Sequence, residues 1–261
     1  MENIGKEQIE LTSRDEQEKL ALTDAVLQST VGITGVDEHG HPEGIRGTGT
    51  LIMIGSRRGV LTAEHLIEGS DPRRLRFMAP DPDPHSRLGP IRPVVSVNVL
   101  DVYLEKQMDT AFIELADPVG DERFTSFRSL PERDPVLPDS WKATMVGYPA
   151  AAAKQLSSLP INVAVRRWES LPLLAPDAIE PSRMYDPEMH FLLSYEPGES
   201  LRPEGYSGSG LWGWDDPNGP VWLAKPVYIG MAVAYSHSKR TGGVLIATKL
   251  SVIRRFLDSV L

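Results

Sequence analysis

Short runs of apolar and β-branched residues, broken by clusters of Gly, Pro, Asp and Ser, dominate the chain from residue 30 to residue 249. Their length and composition predict strands: Thr30 to Val36, Gly47 to Ile54, Gly59 to Ala63, Val94 to Leu104 and Thr110 to Leu115 in the first half. In the second half the predicted strands are Lys142 to Tyr148, Ile161 to Trp168, His190 to Tyr195, Gly210 to Trp214, Val227 to Tyr235 and Gly243 to Thr248. The two ends carry a different period. Leu20, Ala21, Ala25 and Val26 form an apolar face behind a Ser13-Arg14-Asp15-Glu16 capping box, which predicts an N-terminal helix. Leu250, Ile253, Phe256, Leu257, Val260 and Leu261 recur at helical spacing, with Ser251 as the expected cap. Residues 70 to 93, centred on Ala79-Pro80-Asp81-Pro82-Asp83-Pro84, read as a loop, and the polar stretch 129–141 as an interdomain linker. The expected layout is helix, β half, linker, β half, helix.

Composition narrows the partners. The 261 residues are 41% hydrophobic and 24% charged, which suits a folded chain able to bury a core. A net charge of −9 argues against nucleic acid and anionic membrane, and the paired arginines are too scattered to form a basic patch. No apolar run approaches the ~20 residues of a membrane-spanning helix. There is no cysteine, and the polar residues 1–18 do not resemble a signal peptide, so the expected compartment is the cytoplasm.

Three segments carry chemistry. Leu61-Thr62-Ala63-Glu64-His65 ends a strand on a histidine, Met108-Asp109-Thr110-Ala111 opens one on an aspartate, and Gly205-Tyr206-Ser207-Gly208-Ser209-Gly210 sets a serine in a glycine-rich turn. Serine becomes a useful nucleophile when an imidazole takes its proton and a carboxylate fixes the tautomer of that imidazole. Each residue also has an ordinary reading, as a strand-end histidine, a turn aspartate and a flexible serine. Their order, His then Asp then Ser, favours the joint reading. Ser209 competes with Ser207 as nucleophile but lacks the preceding Gly-x that lets backbone amides converge on an oxyanion. Ser207 is therefore the expected nucleophile, with the amides of Gly205 and Ser207 as oxyanion donors. His39 and His41 flank a glycine in an acidic turn with no third ligand near in sequence, so no metal is expected. Trp212, Trp214 and Trp222 read as core, with a peptide-binding wall as the other possibility. An α/β-hydrolase is disfavoured, because its elbow is Gly-x-Ser-x-Gly with Asp and His downstream, whereas Ser209 takes the last place here.

On these motifs the chain resembles the trypsin/chymotrypsin superfamily of serine proteases, most of all its bacterial HtrA-like and glutamyl-endopeptidase-like branches. Gly47-Thr48-Gly49-Thr50-Leu51-Ile52, Val146-Gly147-Tyr148-Pro149, Ile229-Gly230-Met231 and Gly243-Val244 extend the likeness across residues 29 to 260. The resemblance implies an all-β fold of two packed antiparallel six-stranded β-barrels. The expected divisions are an N-terminal helical segment (1–28), a first barrel with His65 and Asp109 (29–128), a linker (129–141), a second barrel with Ser207 (142–248) and a C-terminal helix (249–261). It implies peptide-bond hydrolysis through an acyl-enzyme, with a protein or peptide as substrate and no cofactor. It also places the primary specificity (S1) pocket at Leu201, Arg202, Val233, Ala234 and Tyr235, with Gly242-Gly243 as a further wall. An apolar Leu201, a repelling Arg202 and a bulky Tyr235 predict a small or medium aliphatic residue at P1, the residue before the scissile bond. The competing expectation is an acidic P1 read by Arg202 or His237. Tyr206, where an activation ion pair would need an aspartate, argues against activation by N-terminal clipping and leaves loop ordering or an activating protein partner. The alternative to an active enzyme is a catalytically silent pseudoprotease or peptide-binding module on the same fold.

Overall fold

The computed structural model describes residues 26–41, 43–78, 94–117, 119–121, 123–135, 142–148, 154–155, 162–163, 167–182, 184–195, 204–214, 225–238 and 242–261. The expected N-terminal helix and its capping box lie outside them except for Val26 and Leu27, which are helical and buried. Eight strands build a first sheet: β1 (Thr30–Gly35), β2 (Gly47–Ile54), β3 (Arg57–Thr62), β4 (Leu75–Met78), β5 (Val94–Val95), β6 (Val99–Glu105), β7 (Thr110–Leu115) and β8 (Arg128–Ser129). Their order is β5-β4-β1-β2-β3-β7-β6, antiparallel throughout, with β8 parallel to β2. Seven strands lie on this path and β8 flanks β2; among the described residues the sheet is curled, and no closing pair joins its ends, where the resemblance implies a six-stranded barrel. The centre of this sheet is apolar on both faces, with Ile33, Leu51, Val60 and Phe112 fully buried. Its cross-strand pairs include Leu51 with Val60 and Leu61 with Phe112.

The second half supplies β9 (Lys142–Gly147), the short pair β10 (Lys154–Gln155) and β11 (Asn162–Val163), then β12 (Arg167–Leu174), β13 (His190–Ser194), β14 (Gly210–Trp214), β15 (Pro226–Ser238) and β16 (Gly242–Lys249). Six of them close into a barrel in the order β12-β13-β16-β15-β14-β9. The chain is thus mostly β, with two curled antiparallel sheets, of which the second closes on itself. β15 is long and carries an irregularity between Ala232 and Ala234, which takes Val233 out of register with β16. Bulges of this kind re-aim backbone groups, and this one lies where β15 passes the Ser207 turn.

Helix α1 (Leu250–Val260) follows β16 without a break and buries Leu250, Val252, Ile253, Phe256 and Leu257. Its N-cap is Lys249, with no side-chain cap bond, so the expectation of a Ser251 cap is corrected. Lys249 still belongs to the ladder, opposite Gly230, and the helix starts from the strand end. One apolar cluster joins Leu51 and Phe112 of the first sheet, Val146 and Trp212 of the barrel, and Ile253 and Phe256 of α1. Each such side chain contributes about 1.5–3 kcal/mol on burial. Among the described residues no helix is long and apolar enough to cross a membrane.

Other boundaries also moved. Part of the expected 70–93 loop is a 3₁₀ turn, Pro72–Arg74, whose N-cap Asp71 accepts the Arg73 N–H, and β4 follows it. Arg76 and the flanking prolines mask a strand this short, although Phe77 and Met78 are fully buried. The stretch read as Val94 to Leu104 splits at residues 96–98, where Asn98 turns to pair with Val119 and Ala116. Ser129, placed in the linker, pairs with Met53 of β2. The Asp37–His41 segment is a loop as expected, its Asp37 carboxylate accepting the His39 and His41 amides. Trp212 is core, edge-on to Tyr228 at 5.1 Å. Trp222 lies outside the described residues, as does the side chain of Trp214.

Candidate active site

Three chain segments meet where the two sheets face each other. β3 ends at Thr62, Ala63 stays extended, and a single 3₁₀ turn, Glu64–Leu66, swings His65 outward. The turn between β6 and β7 presents Asp109 to it. One carboxylate oxygen of Asp109 accepts the His65 backbone N–H at 2.9 Å, and the other meets His65 Nδ1 at 2.7 Å. A carboxylate only accepts, so Nδ1 donates and Nε2 of the neutral ring is left as a proton acceptor. The hydrogen bond to Asp109 is also the main reason the His65 pKa lies above its ordinary value.

Asp109 holds this position at a cost. Its φ of +46° is the one positive value among the described non-glycine residues. Aspartate tolerates the left-handed region better than most, but such a residue still stores on the order of 1 kcal/mol. The turn is braced from both sides, since Met108 O accepts the hydroxyls of Thr110 (2.9 Å) and of Thr248 on β16 (3.1 Å). The barrel thereby fixes the residue next to Asp109.

Ser207 sits in the turn before β14, between Gly205 (φ +96°) and Gly208 (φ +82°). On one side the turn is laced to β15: Gly208 N–H donates to Ala232 O, and Ala232 N–H to Ser209 O. On the other side it is held by Thr48 of β2. Thr48 N–H donates to Ser207 O at 2.9 Å, and Thr48 Oγ1 donates to Gly205 O at 2.8 Å while accepting the Tyr148 N–H at 2.9 Å. The Thr48 carbonyl in turn accepts the Thr62 hydroxyl at 2.7 Å. Thr48 is thus the joint between the first sheet, the serine turn and the end of β9. In the sequence the available signal for this role is a hydroxyl residue between two glycines, Gly47-Thr48-Gly49.

His65, Asp109 and Ser207 line one cleft of ≈ 510 Å³, together with Val233, Ala234 and Tyr235. Ser207 Oγ lies 3.4 Å from Val233 O, a long contact that leaves the hydroxyl loosely held. Among the described residues it makes no hydrogen bond to His65, and the Gly205 and Ser207 amides have no acceptor. Ser209, the competing serine, is fully buried with its hydroxyl unpaired, away from the cleft.

Leu201 and Arg202 lie outside the described residues, as does the His237 side chain. Val233, Ala234 and Tyr235 line the cleft, whereas Gly243 packs against Tyr235. The Tyr235 hydroxyl is 2.7 Å from where a Gly243 Cβ would stand, and its ring meets Tyr195 edge-on at 5.8 Å. Tyr195 is a buried core residue that backs Tyr235. Glu64, beside His65, was missed as a site residue. It is buried, its Oε1 has no partner, and burial followed by the charge of Glu68 raises its pKa. Among the described residues no cluster of His, Asp and Glu could hold a metal ion.

Comparison with known proteins adds no family: no family model matches the chain, and no curated protein matches it.

Proposed function

We propose that this chain is a serine endopeptidase of chymotrypsin-like architecture, with Ser207 as nucleophile, His65 as general base and acid, and Asp109 as the residue that orients the imidazole. The observation that carries the reading is the double grip of Asp109 on the backbone and ring of His65, in a cleft shared with Ser207. In this reading the Ser207 Oγ–H proton passes to His65 Nε2 as Oγ bonds the scissile carbonyl carbon. The Gly205 and Ser207 amides donate to the developing oxyanion. Collapse breaks the C–N bond, and His65 gives its proton to the departing amine. Water then attacks the acyl-enzyme, with His65 as base again, and Ser207 is released. The edge of β15 beyond Ala232, unpaired among the described residues, suits an extended peptide backbone. The charge balance and the lack of cysteine support a cytoplasmic setting as part of the same proposal.

A fluorophosphonate probe tests the reading. Single modification at Ser207, lost in His65→Ala, is the expected result; a probe that never labels Ser207 overturns it. One observation favours a second reading, a latent or silent relative awaiting a partner: Ser207 Oγ points to Val233 O and not to His65. Labelling that appears only with an added activating protein would select the latent form.

Three further outcomes follow from the geometry. kcat/KM should rise with pH through an apparent pKa above the ordinary 6.5 of histidine, because the Asp109 bond keeps the inactive imidazolium protonated to higher pH. The stabilisation from that pair has the opposite sense. It is fully present below the unfolded pKa and is lost as pH rises through the folded one. A pH–rate profile with its limb below 6.5 would contradict this. Second, a P1-scanned fluorogenic library should show fastest cleavage after small or medium aliphatic residues, since the bulky Tyr235 lines the cleft beside Val233 and Ala234. Fastest cleavage after Lys or Arg sinks this pocket, and fastest cleavage after Glu, lost in Arg202→Ala, selects the acidic alternative. Third, Thr48→Val should lower kcat by roughly ten- to a hundred-fold, because it strands the buried Gly205 carbonyl and the Tyr148 amide. Thr48→Ser should recover most of that loss in the same assay.

A further inference from the structure

His190 is a buried wall of the cleft that this reading leaves without a task. It opens β13, is 5% exposed, and lines the same cleft as His65 and Ser207. Its Nδ1 accepts the Asp186 N–H at 3.0 Å, so the neutral ring carries its proton on Nε2. Nε2 has no hydrogen-bond partner among the described residues, which leaves it as the polar atom of the ring available to the cleft. Burial lowers the pKa of His190 and keeps it a neutral donor at physiological pH.

The surroundings define what that donor can meet. The charged and titratable groups around it are Asp186 on its own loop, Lys249 at the end of β16, Asp109 from the β6–β7 turn, and Tyr185, whose ring lies 6.3 Å away. His190 pairs across the ladder with Thr248, whose hydroxyl bonds the carbonyl next to Asp109. The histidine therefore sits beside the Asp109 turn, and Gln107 and the exposed Met184 line the same cleft. Of the four β15 residues that line the cleft, Ala232 and Ala234 carry only a methyl group. Charges of both signs surround the site, Lys249 and Lys106 against Asp109, Asp186 and Glu204, so neither sign of ligand is singled out, and the Nε2–H suits a neutral acceptor.

We propose that His190 is a specificity-determining residue: its Nε2–H donates to the side-chain amide oxygen of a glutamine or asparagine in the bound peptide, at P2 or P4. Those two positions follow from the alternation of side chains along an extended peptide, which turns P2 and P4 away from the P1 slot. The assignment rests on the peptidase reading.

The test uses the full chain and acyl-tetrapeptide fluorogenic substrates with alanine at P1, scanning P2 and P4 with Gln, Asn, Leu, Met, Glu and Lys. Gln or Asn should exceed Leu and Met by about ten-fold in kcat/KM at one of the two positions, the worth of one well-placed hydrogen bond. His190→Phe should bring that ratio close to one. His190→Gln, which keeps an N–H donor, should retain a preference, and thermal melts establish that each variant is folded. Equal rates for Gln, Asn and Leu at both positions, or a ratio unchanged in His190→Phe, overturn the proposal. Failure of the peptidase reading looks different: no peptide is cleaved and Ser207 takes no fluorophosphonate. In that case binding of the same peptides to the Ser207→Ala chain, followed by fluorescence polarisation, decides His190 alone. A Gln-over-Leu difference lost in His190→Phe supports the proposal, and equal binding refutes it.

Discussion

Ser207→Ala and His65→Ala are each expected to lower kcat on a cleaved peptide by about 10⁴- to 10⁶-fold, since the members of such a site act as a unit. Neither change should unfold the protein. Ser207 Oγ makes only the long contact to Val233 O, and the His65 side chain is 46% exposed. Asp109→Asn is the more discriminating variant. Asparagine tolerates the left-handed φ of this turn as aspartate does, so the backbone stays in place. The amide, however, can donate to Nδ1 and stabilise the wrong tautomer of His65. A loss near 10⁴-fold with unchanged melting temperature is the expected outcome. Substantial activity in Ser207→Ala, with loss in Ser209→Ala, would move the nucleophile to Ser209 and overturn the assignment.

Gly208→Ala is expected to have the largest effect on stability. Gly208 has a φ of +82°, which an L side chain occupies under strain, and a Cβ there would overlap the Thr48 carbonyl oxygen and crowd the Thr62 hydroxyl and Ala63 nitrogen. Two of these neighbours are backbone atoms of the first sheet, so relief requires β2 and the serine turn to separate. Strain and overlap together amount to about 3–5 kcal/mol. For a chain of this size that is a fall of ~10 °C in melting temperature. Activity should fall with it, because the same movement breaks the Thr48 bonds to Gly205 and Ser207. A differential scanning experiment showing Gly208→Ala within ~1 °C of the parent would mean the turn is looser than its contacts indicate.

The candidate site was legible in the sequence to the extent that it lies on continuous local patterns. Thr62-Ala63-Glu64-His65 follows a buried strand, Thr110 to Leu115 is a strand in both readings, and Gly205 and Gly208 occupy backbone conformations that favour glycine. His190 and Thr48 were not legible as site residues. A histidine at a strand start and a threonine inside a strand are ordinary occurrences, and their partners lie far along the chain: Thr48 reaches Tyr148 and Gly205, which are 100 and 157 residues away. Short elements failed for another reason. β4 has four residues with an arginine inside, too few for alternation to stand out, and it exists because β1 offers it an edge.

What the amino-acid sequence determined by itself was the set of strands with strong apolar runs, the docking face of the terminal helix, and the residue types able to do nucleophilic chemistry. Periodicity and turn chemistry are local and can be read from neighbouring residues. The tertiary structure decided the rest. It gathered eight strands into the first sheet and closed the second, set the bulge at Val233, and forced Asp109 into a left-handed turn braced by Thr248. It also brought Asp109 onto both polar atoms of His65 that a carboxylate can hold, buried Ser209, and left Ser207 on the cleft. These outcomes depend on which distant strand edges find each other and on which polar groups must be paired once water is excluded. Both are properties of the packed chain, not of any one segment.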